Sequence, residues 1–231
     1  MDKFNTYTVA TEASAGLKAY LLKVYNYMGF GLIITALAAF AIASSPAAIN
    51  LIYNSGLKYI VIFAPLAFIL VLSFGINKLS ATQAQLLFWC FALVNGISLS
   101  FIFLLYTGVS ITKVFLITAV TFLIMSIYGY TTKADLSKFG AILFMGLIGI
   151  IIASIVNIFM KSSGLDFGIS IIGVLIFTGL TAWDTQKIKL SYNITATAED
   201  LKKGAIFGAL SLYLDFINLF LMLLRLMGDR R

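Results

Sequence analysis

Gly204–Arg225 reads GAIFGALSLYLDFINLFLMLLR, an apolar run long enough to cross a bilayer, and it holds one acid, Asp215. A spanning helix needs about 20 apolar residues, and a carboxylate inside one costs roughly 2.5–3.5 kcal/mol. Such a group is expected to face a bundle interior or a water-filled cavity rather than lipid. On a helix, Gly204, Gly208, Ser211, Asp215, Asn218, Met222 and Arg225 recur at alternating spacings of four and three, which puts them on one face. Leu, Ile and Phe fill the other faces. The run therefore predicts a helix packed inside a bundle, with its acid turned toward a partner.

The rest of the chain agrees with a membrane setting. Of 231 residues, 61% are hydrophobic and 11% charged, too apolar for a soluble globular domain. Seven segments fit the length of a span: Val24–Ala43, Tyr59–Ile76, Leu86–Tyr106, Val114–Tyr130, Phe139–Met160, Phe167–Ile188 and Gly204–Leu226. Their connections are short, so the chain is expected to be an all-α polytopic membrane protein. Its parts would be a cytoplasmic segment over residues 1–23, a transmembrane domain over 24–226 and a tail over 227–231. With no His and a single Cys, the chain offers no haem, zinc or Cys–His chemistry, and no cofactor is expected. Cys90 reads as a small buried apolar residue. The net charge of +7 reports topology rather than nucleic-acid binding, because Lys and Arg lie in the connections. With the N-terminus in the cytoplasm, that side holds ten basic residues and the opposite side six. This favours N-in and, with seven spans, C-out.

Asp184, in GLTAWDTQKIK, is the second acid within a spanning run. It lies on the span before Asp215, and consecutive helices joined by a short connection are antiparallel neighbours by default. Two carboxyls that meet there would share one proton over some pH range and titrate as a unit. Doubly ionised, they would attract a hard cation such as Ca²⁺. That ion takes about 6–8 oxygen ligands, so two carboxylates suit transient passage better than tight storage. The plainer reading makes each acid a satisfied helix–helix hydrogen-bonding group. Thr181, Gly204, Gly208, Ser211 and Asn218 form either a pore face or a packing face beside the pair.

Depth sets a condition on the meeting. Asp184 is about 9 Å from the end of its helix and Asp215 about 26 Å from a start at the Thr197 cap, at 1.5 Å per residue. The depths match if the charged stretch Ala198–Lys203 stays outside the membrane or runs along it, and a break or bend is expected near Gly204.

GLTAWDTQKIK followed by GALSLYLDFINLFLMLLRLMG resembles the C-terminal signature of the Bax inhibitor family, the transmembrane Bax-inhibitor-motif proteins. LKAYLLKVYNYMGFGLIITALAAF and NGISLSFIFLLYTGVSITKVFLITAVTFLIMSIYGYTTKADLSKFG resemble bacterial members, so the likeness covers nearly the whole chain. The resemblance implies a seven-helix bundle with the last helix central, and Asp184 and Asp215 as a buried pH-sensing pair. It also implies a pH-sensitive Ca²⁺ leak, with Ca²⁺ as permeant ion and H⁺ as regulator, in a bacterial plasma (inner) membrane. Some relatives place an Arg in the second helix to engage the acids; Tyr59–Ile76 contains none. Some bacterial members look like regulators of a membrane-bound protease, so a non-conducting regulator is the alternative function.

Other chemistries fit less well. An intramembrane aspartyl protease needs two aspartates around one water, typically with Gly-x-Gly-Asp on the second helix, and here the residues are Tyr213-Leu214-Asp215. A retinal protein needs a lysine in the last span, and Gly204–Leu226 has none. The chain is therefore not expected to be an enzyme. Asn95, Ser98, Ser154 and Asn157 read as interhelical hydrogen bonders or cavity-lining groups. Gly146, Gly149, Gly204 and Gly208 read as points of close backbone approach. Trp183 reads as an interfacial anchor, and Arg225 as a residue that snorkels outward rather than pairing with an acid.

Overall fold

The computed structural model describes residues 2–75 and 78–231, with side chains from Ser14 onward. Met1, Ile76 (the expected end of the second span) and the side chain of Lys3, which entered the charge count, lie outside the described residues. Among the described residues the chain forms α1 (Asp2–Ala43), α2 (Pro46–Tyr53), α3 (Leu57–Gly75), α4 (Ala81–Leu99), α5 (Ile102–Leu105), α6 (Gly108–Thr131), α7 (Ser137–Met160), α8 (Ser163–Ser191) and α9 (Ala198–Met227). Seven stretches of the described residues are long and apolar enough to span: Ser14–Ala43, Leu57–Gly75, Ala81–Leu105, Gly108–Thr131, Ser137–Met160, Ser163–Ser191 and Ala198–Met227. The protein is an all-α polytopic membrane protein, as expected. α9 is the most deeply buried span, and α3 and α7 the least.

Helix ends follow local chemistry. Ser45 accepts from Ala48 N and Pro46 occupies the first turn, which starts α2 inside the stretch read as a plain connection. Ser80 and Gln83 form a reciprocal capping box at α4. Lys161, left-handed at φ 50°, ends α7, and Asn157 Oδ1 accepts from Ser162 N at 2.9 Å. Asn157 is therefore a capping residue, not an interhelical one. Ser154 likewise spends its hydroxyl on Ile150 O of its own helix, donating at 2.7 Å. Between α6 and α7, Asp135 accepts from Ser137 N at 2.9 Å, and that amide, then the Ser137 hydroxyl, hold its carboxyl below the usual range.

The chain divides into two compact units, with boundaries before α5, within α8 and within α9. One takes in the chain up to Phe101 with Ile188–Leu210, the other Ile102–Lys187 with Ser211–Arg231. In the first, α1 packs on α4. Thr35 Oγ1 donates to Ala92 O at 2.8 Å, and a side chain at Gly96 would run into the Thr35 backbone. Cys90 is only half-buried there, a correction to its reading as a core residue; the buried places on α4 go to Phe88 and Phe91. Tyr20 of α1 stands beside the α8–α9 connection, its ring 5.5 Å from that of Tyr192 and its hydroxyl 3.5 Å from Ser191 Oγ.

In the second unit α6 and α7 pack against α8, and α6 against α9. Phe115 and Phe122 of α6 meet the Phe216 ring edge-on at 5.3 and 5.5 Å. Lipid tails are as apolar as these side chains, so contact area and close approach hold such helices together, not exclusion of water. The tail after α9 folds back onto the start of α6: Asp229 accepts from Ser110 Oγ at 2.9 Å, and Arg231 N donates to Leu105 O at 2.9 Å. Seven spans and the lysine count together predict that a reporter fused after Arg231 signals from the non-cytoplasmic side. A cytoplasmic signal would overturn the N-in orientation.

Candidate intramembrane acid site

α8 and α9 run antiparallel in each unit. In the first, Gly208 leaves room for Ile188, whose side chain a Cβ there would meet at 3.1 Å. In the second, Gly173 leaves room for Met222, and Arg225 of α9 pairs with Asp166 of α8 at 3.6 Å. Arg225 therefore does pair with an acid, against expectation. Its side chain reaches the first turn of α8, outside the run from Phe167 that the hydropathy had marked.

Also in the second unit, Asp184 and Asp215 face one another within hydrogen-bonding reach. Asp215 is 5% exposed, and its Oδ2 is buried with no hydrogen-bond partner among the described residues. Lys187, one turn along α8 from Asp184, is close enough to act electrostatically on both carboxyls. Its ammonium stands 5.0 Å over the Trp183 ring. Trp183 is thus the support of a cation beside the pair and more than an interfacial anchor.

Of the break or bend expected near Gly204, the break is absent. α9 is continuous from Ala198 to Met227 and begins at Thr197, whose Oγ1 accepts from Asp200 N at 3.1 Å. Because Gly208 sits at Ile188, the last residues of α8 lie near Ala205, and Ala198–Gly204 overhangs the end of α8 by about 10 Å. Those charged turns are held by protein contacts: Glu199 accepts from Ala81 N, the first residue of α4, at 3.3 Å and pairs with Lys203 at 3.5 Å. With its polar turns already partnered, the helix has no reason to break.

The flanking residues make these contacts within the protein. Thr181 is fully buried and donates to Phe177 O at 2.8 Å, and Asn218 donates to Leu214 O at 2.8 Å, each within its own helix. Gly204 lies against the Tyr20 hydroxyl, Gly208 against Ile188 and Gly146 against Ile176, whereas Gly149 has nothing within 4 Å and is no point of close approach. Ser211 is half-buried. Sequence reasoning missed Gly129 and Gly140, which carry the backbone of α6 and α7 onto Ala182 and Trp183. It also missed Ser126, Thr185 and Gln186 beside the pair. A signal existed, since Ser110, Val114, Thr118, Phe122, Ser126 and Gly129 recur at helical spacing as the buried stripe of α6.

Spanning helices that carry a half-buried Asp184 and a buried Asp215 define a polytopic membrane protein with two acids in its spans. The family described as inhibitor of apoptosis-promoting Bax1 matches residues 17–231, and the chain belongs to this Bax inhibitor family. It is similar to inner membrane protein YbhL of Escherichia coli, 48% identical over the full length of both chains. It is similar too to protein RP147 of Rickettsia prowazekii, 48% identical over 94% of this chain and 92% of that one. A Streptococcus pyogenes membrane protein is 36% identical over 97% of this chain and 98% of its own. The chain is a multi-pass integral membrane protein.

Proposed function

We propose that this protein mediates a proton-regulated leak of cations, Ca²⁺ foremost, across a bacterial inner membrane, without enzymatic activity. The observation that carries the reading is the contact between Asp184 and Asp215 on adjacent spans, with one carboxyl oxygen buried and unpartnered. Two carboxyls in contact offer four acceptors and no donor unless a proton lies between them. With that proton they tie α8 to α9. Without it two like charges oppose each other in an apolar setting and push the helices apart. The opened pair then attracts a cation, supplying part of its oxygen shell while water supplies the rest. Leak is therefore expected to rise with pH through the titration of the pair.

Lys187 gives the site a second charge of the opposite sign. Tethered over Trp183, it partly offsets the ionised pair and keeps a passing cation loosely held. Loose holding favours conduction, which requires binding weak enough for release. The test is Ca²⁺ flux into liposomes containing this protein alone, measured across pH. Flux that climbs with pH supports the reading. No flux at any pH defeats it and favours a non-conducting regulator that binds a membrane protease or another membrane protein.

A further inference from the structure

The five residues Ala182–Gln186 carry Asp184, and its four neighbours are all committed to α6, α7 or the turn between them. Ala182 lies so close to Gly129 that a Cβ on that glycine would overlap the Ala182 carbonyl, and the Trp183 ring covers Gly140 in the same way. Thr185 Oγ1 meets Ser126 Oγ at 3.0 Å. Gln186, 7% exposed, accepts from Leu136 N at 2.9 Å and donates to Ala134 O at 2.8 Å. One side chain thus satisfies a backbone donor and a backbone acceptor of the α6–α7 turn. Losing it would leave both groups short of a partner.

The residues close to Asp215 on α9 make contacts of another kind. Phe216, next to Asp215, touches α6 through ring edges of Phe115 and Phe122, and the Asn218 amide bonds to its own helix. Edge-to-face ring contacts tolerate a range of centroid distances, whereas the paired hydrogen bonds of Gln186 demand short distances and near-linear geometry.

We infer that Gln186 is a positioning residue that fastens the Asp184 turn to the α6–α7 connection and so fixes where Asp184 meets Asp215. This rests on the proton-regulated reading of the site. The charged groups concerned are Asp184 and Lys187 on α8 and Asp215 on α9. Toward this turn α6 and α7 present Gly129, Ser126, Gly140 and the backbone of Ala134 and Leu136.

The chain has two tryptophans, so Trp89→Phe leaves Trp183 as a fluorescent reporter one residue from Asp184. In that background, emission against pH and Ca²⁺ flux against pH are recorded for the parent, Gln186→Ala and Gln186→Glu. Gln186→Ala is expected to displace both midpoints by about one pH unit, a tenfold change in proton affinity. Gln186→Glu should match the parent while its carboxyl is protonated, since that form reproduces both hydrogen bonds, and depart from it once ionised. Phe91→Leu, in the buried face of α4, serves as a control that lowers the melting temperature without moving the midpoint. If Gln186→Ala melts earlier yet titrates as the parent does, the positioning role is overturned. A parent that passes no cation but still titrates, with Gln186→Ala moving that titration, retains the positioning role and loses only the leak.

Discussion

Asp215→Asn should abolish the pH dependence of cation leak and hold it at the low, acid-side level. The amide has the shape of the carboxyl but no titratable proton, and its Nδ2 can donate permanently to Asp184. It therefore imitates the pair with its proton in place. A hydrogen bond to a charged group contributes about 1.5–3 kcal/mol, so leak at high pH should fall roughly ten- to hundredfold. Asp184→Asn should act in the same direction, because the missing proton can be supplied from either side. Asp215→Ala separates two explanations: it removes the tie as well as the repulsion, leaving a cavity beside Asp184, so it should raise leak at low pH where Asn suppresses it. The measurement is Ca²⁺ uptake by liposomes of matched protein content over a pH series. An Asn variant whose response to pH equals that of the unsubstituted protein would remove the pair from the mechanism, whatever the size of the flux.

The seven spans, and the presence of one acid on each of the last two, were legible because both rest on strong, local signals. A charge-free run of spanning length has few other uses, and a carboxyl within one has a high cost that demands a partner. The stripe from Gly204 to Arg225 was read correctly as one face, and it does look toward α8: Gly208 on Ile188, Asp215 on Asp184, Met222 on Gly173, Arg225 on Asp166. What it meant was less legible. Thr181 and Asn218 suggested a polar path, but a hydroxyl or amide on a helix can bond to the carbonyl four residues back, and both do. The break at Gly204 was inferred from depth alone, without knowing that Glu199 fastens the overhanging turns to the start of α4. Gln186 was invisible for a related reason: its partners are the backbone of Ala134 and Leu136, and main-chain atoms leave no mark in a sequence.

Gly129→Ala and Gly149→Ala, chemically the same change on neighbouring spans, should have opposite effects. In an exposed helix position Ala is favoured over Gly by about 0.8–1.0 kcal/mol, and nothing lies within 4 Å of a Cβ at Gly149. That substitution should leave the protein as stable or slightly more so. At Gly129 the new methyl would fall on the carbonyl of Ala182, which is main chain and cannot turn aside as a side chain could. Overpacking typically costs about 1–3 kcal/mol, and the upper part of that range is expected where α6 and α8 must separate to admit the atom. The separation would also carry away Asp184, two residues beyond Ala182, and strain the Ser126–Thr185 contact at 3.0 Å. Gly129→Ala should therefore lower the melting temperature in detergent and displace the pH response of the pair at the same time. Gly149→Ala should do neither. Equal melting temperatures for the two variants would mean that α6 does not approach α8 as closely as Gly129 allows, and the frame holding Asp184 would have to be sought elsewhere.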